Sequence, residues 1–500
     1  MKDLAKNGIR LRYSGFVMFI AKMLSVVTGL AFTLMITRTT TPEQYGILSN
    51  INDLLGYFAL PAIIFPFWTL RFVARNKEGA IKTGILANLI ISIIATTIYL
   101  LLIPTIILML GVNGIYVILY LVAAMQLMEA YFIYMLEACL RPKMPQTIGY
   151  GIIVEESCKV LLGYVLIVRL QQALMGILLS MIIGVAVHIA YYLKLLLPEL
   201  KQSIKWSYVK EWLKGSALNV YSYIGGNIAA FTSILLIIYG GQAARGQYQA
   251  AITIASIIMY SSFLSFPLYP ILLGENSAKD TRHALMVSLK TVLMFAIPMT
   301  TGAIVLSNSY LITLNEIYKE ATPVLIVLAI NAFVQIISGF FSSVLFGLEK
   351  ADEKAKVPLR KLVKSPLFKA FSLSYVQAAI TLPITFYALV MFAQNQPITA
   401  AIYVGIIDTV ARLVVFLILY AIIRKMVKSI IPWKNISKYV FASAIMAFVL
   451  FLLPHPTRLS STLGITAVGA ILYFTLLMAV DKETRALFNS ILQEIKFKVK

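Results

Sequence analysis

Long runs of apolar residues recur along the whole chain, and no other feature constrains its fold as strongly. A helix needs about 20 predominantly apolar residues to cross about 30 Å of hydrocarbon. A window of that length finds fourteen candidate spans, at residues 13–36, 46–70, 83–110, 114–138, 147–168, 173–196, 216–239, 248–273, 285–307, 321–346, 371–393, 399–423, 438–454 and 462–480. The first run is too long for a secretory signal peptide and lacks a small-residue cleavage pattern, so it is expected to remain as a helix.

The amino-acid composition fits the same interpretation. Hydrophobic residues make up 60% of the 500 residues and charged residues only 13%, whereas soluble proteins carry roughly 25% charged residues. Backbone polar groups in lipid must be satisfied within their own segment, so the runs are expected to be α-helices. We therefore predict one all-α, multi-pass integral membrane protein. Cys139 and Cys158 lie in or beside apolar runs and do not indicate a disulfide framework.

The net charge of +22 reflects membrane topology and does not indicate nucleic-acid binding. Of the 43 Lys and Arg residues, 35 fall in alternate connecting segments. Cationic loops stay in the cytoplasm, so the alternation predicts that both termini are cytoplasmic and supports an even number of spans. The basic loops are also expected to attract anionic membrane lipids. The C-terminal tail is predicted to be an interfacial helix, because four apolar residues share one helical face: Leu487, Ile491, Leu492 and Ile495.

Two similar turns suggest an internal repeat. Pro42-Glu43-Gln44-Tyr45-Gly46 follows the first span and Gly246-Gln247-Tyr248-Gln249-Ala250 follows the seventh, and both following helices reach a proline. A separation of six spans is expected of two six-helix lobes related in parallel. We predict an N-terminal lobe with its cytoplasmic linker at 1–214, a C-terminal lobe at 215–423, and two additional helices with the tail at 424–500.

These motifs resemble those of a known transporter family. Arg38 with Pro42 through Gly46, Arg71-Phe72-Val73-Ala74, Gly246 through Ala250, Pro298 through Gly302, and Tyr318-Lys319-Glu320-Ala321 look like segments of Wzx-type polysaccharide flippases. Those flippases belong to the multidrug/oligosaccharidyl-lipid/polysaccharide exporter superfamily. The resemblance covers most of the chain, and fourteen helices suit the polysaccharide and lipid-linked precursor branches better than the drug exporters.

The resemblance implies alternating access between two lobes and a place in the plasma membrane. The first hypothesis is a flippase that moves a lipid-linked glycan from the cytoplasmic to the external leaflet, with a proton or sodium gradient as the candidate driving force. The second is a proton- or sodium-coupled multidrug antiporter, which would favour an aromatic, acidic pocket without a cationic centre. A membrane glycosyltransferase or polymerase ranks third, because the external loops are too short for a catalytic domain.

A glycan-diphosphate-lipid needs a polar, partly cationic cavity open to the lipid, so ionisable residues inside the spans are candidate site residues. Lys22 in the first span is a candidate diphosphate ligand; alternatively, its long side chain reaches the cytoplasmic surface. Arg38, at the outer end of the same span, either receives the phosphates or anchors the helix at the interface. Asp53 is a candidate coupling-ion site, a partner for Lys22, or a hydrogen-bond partner of nearby asparagines.

The fourth and fifth spans carry a second set of charges. Glu129 lies deep in the fourth span, and Glu155 and Lys159 in the fifth have the i,i+4 spacing of a helical ion pair. Glu156 has no such partner within its helix, so it is expected to face water, to pair with another helix, or to hold a proton. The group is either a structural network or the wall and proton relay of a hydrated cavity.

The predicted C-terminal lobe contributes an ion pair and amides. Asp408 and Arg412 have the i,i+4 spacing, and a self-neutralising structural pair is favoured over a coupling role. Amide side chains suited either to sugar hydroxyls or to helix association are Asn219, Asn227, Asn331 and Gln335. No cofactor is predicted: there is no phosphate-binding glycine loop, and His188, His283 and His455 are too scattered for a metal site.

Overall fold

A computed structural model describes residue 21 and residues 24–265, 278–348, 366–427, 431–481 and 484–485. Several predicted features lie outside the described residues: Lys22, most of the first span before residue 24, the eighth span after residue 265, and the four apolar residues of the C-terminal tail. The side chain of Asn219 is not described either. The chain forms two compact units, Met1–Gly246 and Gln247–Lys500. The division into two six-helix lobes and a C-terminal pair of helices stays a prediction.

The described part of the first unit consists of helices joined by turns and short connections. Its helices are α1 Leu24–Thr39, α2 Pro42–Phe58, α3 Ile64–Ala74, α4 Ala80–Met109, α5 Val117–Lys143, α6 Gln146–Gly163, α7 Ala173–Leu196, α8 Trp206–Gly215 and α9 Ala217–Ala230, and α10 Thr232–Ile258 continues into the second unit. A π-helical turn, Tyr164–Arg169, extends α6, and α10 is interrupted at Gly241, whose φ is 85°.

The second unit continues in the same way. Its further helices are α11 Ala278–Val305, α12 Ser307–Leu314, α13 Thr322–Leu348, α14 Pro366–Phe392, α15 Pro397–Met426, α16 Trp433–Leu452 and α17 Leu459–Val480. The described residues contain no β-strand. The protein is therefore an all-α, multi-pass membrane protein, as the apolar runs predict.

Ten described segments are long and apolar enough to cross a membrane, and an eleventh is the bent pair formed by α2 and Leu60–Ala74. This number is below fourteen for identifiable reasons. The seventh and eighth predicted spans form one segment, Val220–Ser262, and α1 is described only from Leu24. Three charged residues interrupt the apolar character of α6. The total of fourteen spans and the cytoplasmic location of both termini stay predictions.

The turn between α1 and α2 explains one of the sequence motifs. Thr41 accepts a hydrogen bond from the backbone N–H of Gln44, and the Gln44 side chain accepts one from the backbone N–H of Thr41. This reciprocal capping box, followed by Pro42 at the first helical position, satisfies free N–H groups at the helix start. The Pro42–Gly46 motif is therefore a helix-start signal.

The predicted linker before residue 215 is an ordered part of the first unit. Trp212 of α8 is fully buried beside Phe65 and Phe72, with ring-centroid distances of 6.1 and 5.5 Å. Gln202 accepts a hydrogen bond from the backbone N–H of Gly79, whose φ of 74° favours glycine. The connector is thus fixed by a buried aromatic cluster and by polar contacts to the α3–α4 turn.

An ion pair ties the end of α17 to α16. Lys438 Nζ lies 2.8 Å from Asp481 Oδ1, and the backbone N–H and hydroxyl of Thr484 also donate to Asp481. Burial alone would raise the pKa of Asp481, but these donors outweigh it and hold the pKa below its ordinary value. The ionised carboxylate therefore stabilises the folded state.

Replacing this carboxylate should destabilise the protein in a pH-dependent way. We expect Asp481→Asn to lower the free energy of unfolding by about 1–2 kcal/mol at neutral pH. The depressed pKa makes the wild-type advantage complete above the unfolded carboxyl pKa of about 3.9, and protonation removes it as the pH falls through the folded value. Thermal unfolding in detergent from pH 7 to pH 3 measures this. A pH-independent difference, or an equal loss in the exposed-acid control Glu320→Gln, would contradict it.

Candidate functional site

Two neighbouring acids of α6 face different helices. Successive residues of an α-helix point about 100° apart, so Glu155 and Glu156 cannot share a partner face. Glu156 lies against α1, where the Ser25 and Thr28 hydroxyls donate to its two carboxylate oxygens at 3.3 and 2.7 Å. Glu155 points instead to α7 and His188.

The predicted ion pair between Glu155 and Lys159 is wrong, because Lys159 pairs with Glu156. Lys159 Nζ lies 2.7 Å from Glu156 Oε1 at i,i+3 spacing, and both side chains are largely buried. The physical reason is that i,i+3 and i,i+4 neighbours are both within reach on a helix. The hydroxyls of α1 orient Glu156, and the ring of Phe32 lies 5.5 Å from the ammonium, so this side of α6 holds the cation.

Glu155 is bound to a buried histidine. His188 Nδ1 lies 2.7 Å from Glu155 Oε2, and the His188 side chain is 1% exposed. The ring occupies space that a side chain at position 151 would fill: a Cβ on Gly151 would overlap the imidazole and lie 2.6 Å from a ring carbon of Tyr192. His188 is thus an interior hydrogen-bonded ring with a carboxylate as its partner.

Glu129 of α5 lies near this pair. The Glu129 carboxylate interacts electrostatically with Glu155, and its buried Oε2 has no hydrogen-bond partner within the described part of the chain. The structure therefore brings together four of the predicted residues: the acids Glu129, Glu155 and Glu156 and the cation Lys159. Their role in ion coupling or as a cavity wall stays a prediction.

Asp53 of α2 forms a forked ion pair with Arg245 of α10. Arg245 Nε lies 2.8 Å from Asp53 Oδ2 and its terminal nitrogen 3.1 Å from Oδ1. Arg245 is helical and only 4% exposed. The helix after Gly241 begins earlier than the apolar run suggests. Asn50, a considered partner of Asp53, donates instead to the Tyr120 hydroxyl at 2.7 Å.

The backbone of α2 touches the backbone of α10 just beside that ion pair. A Cβ on Gly46 would overlap the carbonyl oxygen of Gln242 and lie 2.8 Å from its carbonyl carbon. A Cβ on Gly246 would meet the carbonyl group of Pro42 in the same way, with the carbon at 2.7 Å. Each glycine thus packs on the carbonyl four residues before the other. We call this contact the glycine crossing.

The second unit has its own ionic network, centred on Asp408 of α15. Arg412 Nε donates to Asp408 Oδ2 at 2.8 Å, which confirms the predicted pairing. Asn331 of α13 donates to the same oxygen at 3.0 Å, and Gln377 of α14 donates to Oδ1 at 2.9 Å. Three helices therefore meet at one carboxylate. Because the Asn331 amide nitrogen also contacts Thr409, its donors serve the network.

Asn227 and Gln335 do not join these networks in the described part of the chain. Asn227 donates to the backbone carbonyl of Tyr223 within its own helix, Gln335 is exposed on α13, and Arg38 is exposed at the end of α1. Lys22 and the side chain of Asn219 lie outside the description. The assignment of these residues to sugar or diphosphate binding stays a prediction.

Sequence reasoning did not find several members of the networks: Ser25, Thr28, Gln377, Thr409 and Arg245. The hydroxyl and amide residues gave no signal, because such groups are frequent in membrane helices and their partners lie on other helices. For Arg245 the sequence does contain a signal. This residue stands three residues before Tyr248 and four after Gly241, and a glycine break of this kind allows a new helix to start.

No protein-family model and no curated protein matches the chain. Solved structures do. The chain is similar to a lipid II flippase MurJ in an inward closed conformation, with 16% identity, a TM-score of 0.69, and coverage of 95% of this chain and 99% of that one. It is also similar to an inward-facing multidrug resistance MATE family transporter of the MOP superfamily, with 15% identity, a TM-score of 0.61, and coverage of 81% and 96%.

A third solved structure, a MATE protein in the straight conformation, matches with 16% identity, a TM-score of 0.53, and coverage of 83% of this chain and 96% of that one. The shared feature is the fold, since the identities are low. The chain therefore shares its fold with these solved structures.

Proposed function

We propose that the protein is a flippase for a lipid-linked oligosaccharide or polysaccharide precursor. By alternating access in the plasma membrane, it moves a glycan-diphosphate-lipid from the cytoplasmic to the external leaflet. The hydrated head of such a molecule cannot cross hydrocarbon unaided, while its lipid tail remains in the bilayer. The Wzx-type resemblance of the sequence motifs supports the glycan assignment.

One observation carries the proposal: the fold similarity to the lipid II flippase extends over 95% of this chain. The MATE transporter structures cover 81% and 83%. The more extensive match to the lipid II flippase favours a lipid-linked glycan as the cargo class.

The ionic networks support a transport role. A charged side chain at mid-membrane costs roughly 2.5–3.5 kcal/mol on insertion scales, so such residues usually serve a function. The first unit holds Glu129 on α5 and Glu155, Glu156 and Lys159 on α6, and the second holds Asp408 and Arg412 on α15. In the proposal Lys22 and Arg38 bind the diphosphate, and the amides that bind the glycan are Asn219, Asn227 and Gln335.

A multidrug antiporter is the second candidate, favoured by the similarity to the MATE transporter at a TM-score of 0.61. The two candidates differ in their cargo and in the need for a cationic centre. An enzymatic role ranks lower, because the chain shares its fold with transporters and the helix connections in the described ranges are mostly short.

The proposal is tested by removing the protein from its native cell. We expect a lipid-linked glycan to accumulate on the cytoplasmic leaflet, and its restored export on re-expression of the wild type. Labelling of the leaflets with an impermeant glycan-binding reagent measures the accumulation. Unchanged glycan distribution together with greater sensitivity to cationic drugs would favour the antiporter instead.

Lys22 provides a residue-level prediction. We expect Lys22→Ala to abolish glycan export while leaving the protein folded and inserted, because the diphosphate would lose a compact positive charge. Export in the deletion strain measures the effect. The matched control is Lys210→Ala, which removes an exposed cation from α8 and should leave export unchanged. Normal export by Lys22→Ala would remove Lys22 from the mechanism.

A further inference from the structure

We propose that Glu155, His188 and Glu129 form a proton-binding site inside the first unit, and that this proton is the coupling ion of transport. The assignment of the proton to coupling rests on the proposed function; the site itself does not. The ligand of this site is a proton and not sodium, and it binds to a histidine that no sequence motif marks.

The two ring nitrogens of His188 have different surroundings. Nδ1 lies 2.7 Å from Glu155 Oε2, and a carboxylate only accepts, so Nδ1 carries a hydrogen and donates it. Nε2 is buried and has no hydrogen-bond partner within the described residues. In the neutral ring with Nδ1 protonated, Nε2 is an available proton acceptor.

The ring is held in one place. His188 lies edge-on to Tyr192, with ring centroids 4.2 Å apart, and fills the space over Gly151 that a Cβ would occupy. Gly184 brings α7 close to α6: a Cβ there would lie 3.2 Å from the backbone oxygen of Glu155. Nε2 therefore cannot reach another partner by a simple ring rotation.

The charges around the ring favour proton uptake. With His188 neutral, an ionised Glu155 leaves a negative charge in an apolar bundle, and an ionised Glu129 would add to it. The nearby ammonium of Lys159 is bonded to Glu156. A proton added to Nε2 gives an imidazolium bonded to Glu155, so the net charge of the pair becomes zero. In the described part of the chain, Glu137 on α5 and Tyr191 on α7 interact electrostatically with Tyr192, whose ring packs on His188.

The chemistry of the group selects the ligand. Sodium, like other hard cations, is coordinated by oxygen atoms, whereas an imidazole nitrogen binds protons and softer metals. In the described ranges no three His, Cys, Asp or Glu side chains are grouped as a metal site would require. A single proton, shared between an imidazole and a carboxylate, needs only the geometry that is present.

Nitrogen-15 NMR of the histidine-labelled full chain in lipid nanodiscs tests the site without any transport assay. The chain has only three histidines, and His188→Gln identifies the His188 signals. We expect Nε2 of His188 to gain a proton as the pH falls, in potassium buffer. Glu155→Gln removes one negative charge and keeps a hydrogen-bond acceptor, so the proton affinity of Nε2 should fall about tenfold or more.

Two further variants separate charge from structure. Glu129→Gln breaks no hydrogen bond made by Oε2, so it should lower the proton affinity in the same direction without disturbing the Glu155–His188 contact. Glu211→Gln removes an exposed acid from α8 and should have no effect. A His188 Nε2 that never gains a proton while the protein stays folded, or equal affinities in wild type and Glu155→Gln, would overturn the site.

A separate experiment in cells tests whether the proton at this site drives transport. In cells, a protonophore should stop export by the wild type, and His188→Gln should lose export although the folded protein is present. If the wild type exports no glycan but Nε2 behaves as expected, the proposed function fails and the site stands. If replacing potassium by sodium at constant pH lowers proton occupancy at Nε2, sodium competes for the carboxylates and the proton assignment is wrong.

Discussion

Gly46→Ala is expected to be among the most damaging single-methyl changes in the protein. The added Cβ would overlap the main-chain carbonyl of Gln242, and a backbone group cannot move aside as a flexible side chain can. We expect the free energy of unfolding to fall by about 3 kcal/mol or more, the upper range for overpacking. Thermal or SDS-induced unfolding of the purified protein measures the loss.

The same helix supplies the matched control for that prediction. Gly56 also lies in α2, and a Cβ there would meet nothing within 4 Å, so Gly56→Ala should change stability by no more than about 0.5 kcal/mol. Gly246→Ala should resemble Gly46→Ala. The double variant should lose less than the sum, because both methyl groups open one contact. Equal stability of the Gly46 and Gly56 variants would show that the glycine crossing is absent.

Asp408→Ala is expected to have the second large effect. The change leaves Arg412 without its carboxylate partner and removes the acceptor of both Asn331 and Gln377. Breaking one side of a buried pair usually costs 3–5 kcal/mol. We expect about 3 kcal/mol, since the Arg412 side chain is 30% exposed and water compensates part of the loss. The free energy of unfolding in detergent measures it.

A double replacement distinguishes a structural pair from a transport element. Asp408→Leu with Arg412→Met removes both charges, and replacing a buried pair by apolar residues is often neutral for stability. We expect the double variant to recover most of the stability that Asp408→Ala loses. Normal glycan export by the stable double variant would assign the pair to structure alone, whereas loss of export would assign it to transport.

The fold class was predictable because lipid leaves few choices. Runs such as residues 83–110 and 399–423 are too apolar and too long for anything but membrane helices, and both correspond to helices, Ala80–Met109 and Pro397–Met426. Breaks were harder to predict. Gly241 interrupts α10 because its φ is positive. The chain has 27 glycines, and the sequence does not show which of them adopt a positive φ.

The candidate site was predictable by residue type but not by pairing. Charged side chains are unfavourable in hydrocarbon, and this indicated five candidate residues: Asp53, Glu129, Glu155, Glu156 and Lys159. Helical spacing alone cannot decide between two adjacent glutamates as the partner of Lys159. That choice depends on Ser25 and Thr28, which contact Glu156 from more than a hundred positions away in the sequence. The Asp408–Arg412 pair was predictable because Asp408 is the only acid within one helical turn of Arg412 in the sequence.

The two repeated turns show a different limit. The two motifs share the pair Gln-Tyr, at Gln44-Tyr45 and Gln247-Tyr248, whereas the contact between their segments is made by Gly46 and Gly246. The internal repeat stays a prediction. The residue type that matters is the one without a side chain, since only glycine allows two helix backbones to meet at this distance.

The bend between α2 and α3 turns by 54° at the short turn Leu60–Ile63, and the Tyr131 hydroxyl donates to the freed carbonyl of Phe58 there. An eleven-residue helix such as Ile64–Ala74 is about 16 Å long, so a 10° rotation at this elbow would carry its far end about 3 Å sideways. The Tyr131 hydroxyl thus stabilises the bend between α2 and α3. Loss of this donor would make the orientation of α3 relative to α2 less well defined, while both helices keep their own hydrogen bonds.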